Sequence, residues 1–195
     1  MSYHPSPEDR NKVCEISQSL FQAAFDDWEM MVGVEAKVAR CFARTMPFRP
    51  ETLERIAKDC ILVETTVDGA GDSPVYFVFP VDFVGRAVYQ ALMIPSSDEL
   101  ELKREDEAHM GAAHELMNLF CGSATRALQE GGFEELRVSQ SVDHIGIRFS
   151  PAELANKASD GALVCVQMDV DHQGLAHRTW CLLPENLSKT LLAAA

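Results

Sequence analysis

The sequence predicts an α+β domain, an antiparallel sheet with long helices packed on it. Three observations carry this. Two long stretches, residues 8–31 and 105–130, place apolar residues at the 3.6-residue spacing of a helix against a core. Between and after them lie short runs rich in β-branched and aromatic residues, bounded by clusters of Gly, Pro, Asp and Ser. The order helix, strands, helices, strands groups the element types instead of alternating them. With 195 residues, 47% of them hydrophobic, a single domain over residues 1–195 is expected, its core spanning about residues 10 to 185. No linker rich in Pro, Gly or Ser divides it.

In the first helix Val13, Ile16, Leu20, Ala23 or Ala24, and Trp28 or Asp27 approximate the helical repeat. Phe21, Phe25, Met30 and Met31 extend the core stripe, and Gly33 is the stop signal. Val34 to Met46 alternates through Val34, Ala36 and Val38, then Cys41 or Phe42, as a strand does; Pro47 and Pro50 break it. Glu51 to Lys58 reads as a short helical turn. Cys60–Val67 and Val75–Phe79 read as strands across the turn cluster Asp68–Pro74. These strands are expected to form an antiparallel meander. Pro80 to Ile94 turns helical, with Phe83, Ala87, Val88, Ala91 and Leu92 on one side. Pro95–Asp98 is a loop, and the acidic run Glu99–Glu107 is a solvated helix entrance favoured by the macrodipole. After the second long helix come Gly131-Gly132, then strands Glu135–Val142 and Ile145–Phe149 joined by a tight turn at Asp143-His144. Leu163–Val170 and His177–Leu183 form a hairpin across Asp171–Gly174, and Pro184–Leu192 is a short terminal helix.

An internal echo points to duplication. Ala23–Gly33 aligns without gaps on Ala112–Gly122, placing Asp26 on Glu115 and Glu29 on Asn118. In this alignment only the second copy keeps an acid with an amide, within a duplicated helix-plus-strands unit.

The net charge of -13 excludes a nucleic-acid binder, which needs a basic stripe, and docking on anionic lipid. No apolar run reaches the ~18 residues of a membrane span. Met1–Asp9 is polar, with Pro5 and Pro7, so no signal peptide is expected and the location is expected to be cytoplasmic. The six cysteines are scattered without a CxxC pair, as reduced and mostly buried thiols are.

The chemistry concentrates on residues 111–128. Ala113, Leu116, Met117, Phe120, Ala124, Ala127 and Leu128 share one arc of the helix. Gly111, Glu115, Asn118, Gly122, Thr125 and Gln129 fall opposite. Glu115 and Asn118, three residues apart, are neighbours on that face. Gly111 and Gly122 bracket them, each costing about 1 kcal/mol relative to Ala in a helix interior. Glycines there lower the wall and let a partner's backbone approach, so Gly111 and Gly122 are candidate partner-binding positions. An amide is both donor and acceptor and can orient one water molecule. That suits an electrophile already reactive, such as an acyl phosphate, whose hydrolysis needs positioning and charge neutralisation. A neighbouring carboxylate can hold a lysine of the partner. There is no GxGxxG, Walker loop, GxSxG or HExxH. Asp169, Asp171 and His172 form at most a weak metal site and read as turn polarity, as does Asp143-His144.

Glu115-x-x-Asn118 followed by Gly122 resembles the signature helix of the CheC/CheX chemotaxis phosphatases, specifically the CheX-like branch. The resemblance extends to Val75–Pro80, the helix after it, and Pro95. It implies a CheC-like duplicated architecture and removal of phosphate from the aspartate of a CheY-type response regulator. Asn118 would orient the attacking water and Glu115 would pair with the regulator's lysine. The chain would carry no cofactor of its own, the Mg2+ belonging to the regulator, and would form a homodimer through its sheet. Two positions depart from the family: Gly111 stands where Asp or Ser is usual, and Ser139–Val142 lacks a proline. Such altered support implies weakened activity. The alternative is a non-catalytic CheX-like module that binds or sequesters a regulator.

Overall fold

The computed structural model describes residues 4–47, 49–56, 59–69, 73–95, 102–103, 105–139, 146–148 and 162–194. Helix α1 (Pro7–Val32) starts at a reciprocal cap. Ser6 Oγ accepts the Asp9 N–H at 3.1 Å, and the Asp9 carboxylate accepts the Ser6 N–H at 2.9 Å. It ends at Gly33, whose φ of 74° lies in the left-handed region that glycine enters freely. Then come β1 (Lys37–Pro47), α2 (Pro50–Ile56), β2 (Cys60–Asp68), β3 (Ser73–Pro80) and α3 (Val81–Ala91). The second half holds α4 (Glu107–Glu130), β4 (Arg137–Val138), β5 (Gly146–Arg148), β6 (Ala162–His172), β7 (Leu175–Pro184) and α5 (Glu185–Ala194). These match the predicted elements closely, although among the described residues β4 keeps only Arg137–Val138 of the expected strand. The Asp143-His144 turn and the acids Glu99 and Glu101 lie outside the described residues.

Every described strand pair is antiparallel, in the order β1-β6-β7-β3-β2-β4, with β5 also on β2. The expected meander therefore holds for β2 and β3 only. Strand β1 leaves them and pairs with β6, from Lys37 opposite Asp171 to Pro47 opposite Ala162. The physical reason is that alternation fixes which side chains face inward, not which strand lies alongside. Helix α2 stands between β1 and β2 where a hairpin turn would have held them together.

The strand order reads alike from both ends. Each half contributes a long helix (α1 or α4) and a first strand that crosses to the other half (β1, or β4 with β5). A hairpin (β2–β3 or β6–β7) and a short helix beginning after a proline complete it, α3 after Pro80 and α5 after Pro184. The halves join where β3 pairs β7, with Phe77 opposite Cys181. The duplicated helix-plus-strands architecture is thus written in the topology.

Helices α1 and α4 cover one face of the sheet. There Phe120 stacks edge-on against Phe21 and Phe77, each at 4.9 Å between centroids, over Ile61, Val63, Phe79 and Val166. The alternate residues Leu62, Tyr76, Val78, Cys165 and Leu182 form a second cluster on the other face with Met46 and Ile56. Strands buried on both faces need continuous apolar runs, which is why Val75–Phe79 shows no alternation. Met30 and Met31 are not core residues as expected: they are 77% and 68% exposed. The inward stripe of α1 ends at Trp28, and the last turn extends beyond it into solvent. Among the described residues no helix is long and apolar enough to cross a membrane.

Candidate functional site

Helix α4 carries the site. Asp106 caps it by accepting the N–H groups of Ala108 at 2.9 Å and His109 at 3.3 Å. Ala113, Leu116, Met117, Phe120, Ala124 and Leu128 are buried, as their shared arc predicts. The opposite strip is open at its N-terminal end only. Gly111 and Glu115 are exposed, and a Cβ built on Gly111 meets nothing within 4 Å. Asn118 and Gly122 are half-buried, and Thr125 is buried. The Thr125 hydroxyl accepts the Val138 N–H at 2.9 Å, tying α4 to β4. A helical wheel cannot anticipate this covering, because β4 reaches Thr125 only through its pairing with β2.

The acid and amide therefore differ in setting. Among the described residues Glu115 makes no hydrogen bond or ion pair, and it lines a groove of about 440 Å³ with Met31, Val32, Ala91, Ala112, Leu116 and Leu119. The Asn118 side chain is not fully in solvent as expected: its Oδ1 is enclosed and, among the described residues, has no hydrogen-bond partner. So has His114 Nδ1, one turn earlier. Enclosed acceptors are nearly always satisfied, so an orphan calls for an explanation.

Two side chains that the sequence placed only on the helical repeat of α1 hold α4 in place. Trp28 Nε1 donates to the Leu116 carbonyl at 3.0 Å, next to Glu115. Asp27, a buried acid, accepts from Ser123 Oγ and pairs with the Arg126 guanidinium. An acid at an inward position of α1 was the available signal for a partner on another helix.

The duplication acquires a different register. Both long helices begin at a side-chain cap, Ser6 and Asp106, and these correspond residue for residue. Buried positions then coincide: Val13 with Ala113, Leu20 with Phe120, Ala24 with Ala124, Trp28 with Leu128. The Ala23–Gly33 echo is a chance match, since Gly33 terminates α1 whereas Gly122 lies inside α4. In the capped register exposed Glu15 corresponds to Glu115 and exposed Gln18 to Asn118. The first copy thus also carries an acid and an amide three residues apart. Counting from the caps would have found them.

Elsewhere the polar candidates have separate structural duties. Asp169 binds Arg178 at 3.2 Å, and Asp171 Oδ1 accepts the Gly174 N–H at 3.0 Å within the hairpin turn. His172 Nδ1 lies 2.6 Å from the Glu35 carbonyl, so that nitrogen carries the proton. His177 lies 3.5 Å from Asp82; burial pushes its pKa below the ordinary 6.5, an effect Asp82 partly opposes. None of the six cysteines is in a disulfide, and burial holds the Cys60 and Cys121 thiols up at about 12.

This helix-paired, two-half sheet is the CheC/CheX-like fold. The chain superposes on FliY from Thermotoga maritima with a TM-score of 0.79 and 16% identity, covering 98% of each chain. FliM from H. pylori, in its complex with FliG, gives 0.75 and 10% identity over 97% of this chain and 100% of that one. CheX from Desulfovibrio desulfuricans gives 0.54 and 14% identity over 88% and 99%. No family model and no curated protein sequence matches the chain.

Proposed function

We propose that this protein is a phosphatase that hydrolyses the aspartyl phosphate of a CheY-type response regulator in chemotaxis or related two-component signalling. The observation that carries the reading is the Asn118 acceptor, without a partner among the described residues, one helical turn from the exposed Glu115 carboxylate. Glu115 enters the regulator's site and pairs with its lysine. Asn118, its half-buried side chain turned outward on docking, holds a water by accepting one of its protons, aligning the water oxygen with phosphorus. The new O–P bond forms as the bond to the aspartate oxygen breaks. The aspartate leaves as carboxylate, and the water's protons end on phosphate and solvent. A loose phosphoryl transition state needs little more than this placement and charge neutralisation. The Mg2+ belongs to the regulator.

Support for a second reading, a non-catalytic binding module, comes from the likeness to FliM and the half-burial of Asn118. One experiment separates the two. CheY-type regulators from the same genome are charged with a small phosphodonor, and their decay is followed with and without this protein. Phosphatase action accelerates decay of at least one; the binding module leaves decay unchanged while still binding it. A homodimer through the β1 edge of the sheet is part of the proposal and is read by sedimentation.

A further inference from the structure

The groove beside Glu115 has apolar walls out of keeping with a free surface. Met31, which lines it, is 68% exposed at the end of α1. Leu119 lines it from α4, and Val32, Ala91, Ala112 and Leu116 complete the apolar lining. Exposed apolar surface of this kind marks an interaction site, and methionine adapts to varied partner shapes.

The duplication supplies an internal control. In the capped register Met30, Met31 and Val32 correspond to Glu130, Gly131 and Gly132, and Leu119 corresponds to Ser19. The surface along Glu15 and Gln18 is lined instead by Ser19, Gln22, Ala23 and Asp26. One architecture has built a polar face and an apolar one, so the fold itself does not impose the apolar walls.

We infer that the groove walled by Met31 and Leu119 is where the partner anchors: an aliphatic or aromatic side chain seats against these two residues while an adjacent lysine or arginine pairs with Glu115. Charge selects this occupant. Among the described residues Glu115 is the one charged residue lining the groove, and the chain's net charge is -13, so the complementary surface is apolar and basic. Two copies meeting here about a two-fold axis would set acid against acid, which disfavours self-association. The inference rests on the phosphatase reading for the class of partner, a receiver domain.

The test measures the Kd of beryllofluoride-activated receiver domains from the same genome by calorimetry, together with the KM and kcat of dephosphorylation. Met31→Asp is expected to raise Kd and KM by ~10-fold or more with kcat unchanged, as loss of an interface anchor does. Met31→Ala trims the anchor without adding a charge, so it is expected to leave Tm unchanged while weakening binding about 3-fold, which excludes misfolding as the cause. Ser19→Asp, on the polar face, is expected to change neither. Unchanged Kd in both methionine variants overturns the anchor, even if phosphate loss is fast and depends on Asn118. Methionine-dependent binding without faster phosphate loss keeps the anchor and overturns the phosphatase reading. A dimer that Met31→Asp converts to monomer, with receiver binding intact, assigns the groove to a second copy and also overturns the inference.

Discussion

Replacing Asn118 by alanine should make the protein more stable as it removes its activity. The enclosed, unpaired Oδ1 carries a desolvation cost of about 1–3 kcal/mol that alanine does not have. Asparagine inside a helix is worse than alanine by roughly 0.6 kcal/mol. Against these stands the packing of a half-buried side chain, about 1 kcal/mol for its lost carbon and heteroatom contacts. The net gain is about 0.6–2.6 kcal/mol, which for a chain of this size raises Tm by roughly 1–10 °C. Thermal unfolding followed by circular dichroism, with Leu119→Ala as the ordinary core-lining control, reads this directly. A fall of 2 °C or more for Asn118→Ala would show that the amide is a satisfied structural group, and the reasoning from its orphaned acceptor would fail. A rise paired with lost activity is the signature of a site that sacrifices stability for function.

Other outcomes follow from the same coordinates. Asp27→Ala breaks the tie between α1 and α4; because half-exposed Arg126 can turn to solvent, the loss is about 2 kcal/mol, a Tm drop of roughly 4–8 °C. His177 has a pKa lowered from 6.5 chiefly by burial. Its contribution to stability is present above that value and is lost as pH falls through the lower folded pKa, since the unfolded chain takes the proton first. Urea midpoints should therefore decline below about pH 6.5, and His177→Gln should flatten the decline. Gln18→Ala, on the face without the apolar groove, should leave regulator dephosphorylation at the wild-type rate; a clear loss would make α1 a second working face.

The elements were legible because their signals are local. Gly33 marks the end of α1, and the prolines at 80 and 184 mark the entries to the short helices. What stayed hidden depends on distant partners. The pairing of β1 with β6 joins residues more than a hundred positions apart, and no periodicity records it. Met30 and Met31 look like core residues by spacing, yet both stay exposed on the last turn of α1. Glu115 and Gly111 are as open as their face predicts, whereas Asn118 is partly covered because the strip narrows toward β4. The repeat was sensed in the sequence but misregistered, because three identities in a helix weigh less than two caps at matching positions.

The most direct test is the decay of a phosphodonor-charged CheY-type regulator in the presence of wild-type protein and of Asn118→Ala. Orientation of the water by the amide predicts accelerated decay with the wild type and a loss of about 100-fold in that acceleration for the variant, with regulator binding retained. Equal acceleration by the two proteins would contradict the role assigned to Asn118, and no acceleration of any regulator would contradict the phosphatase itself.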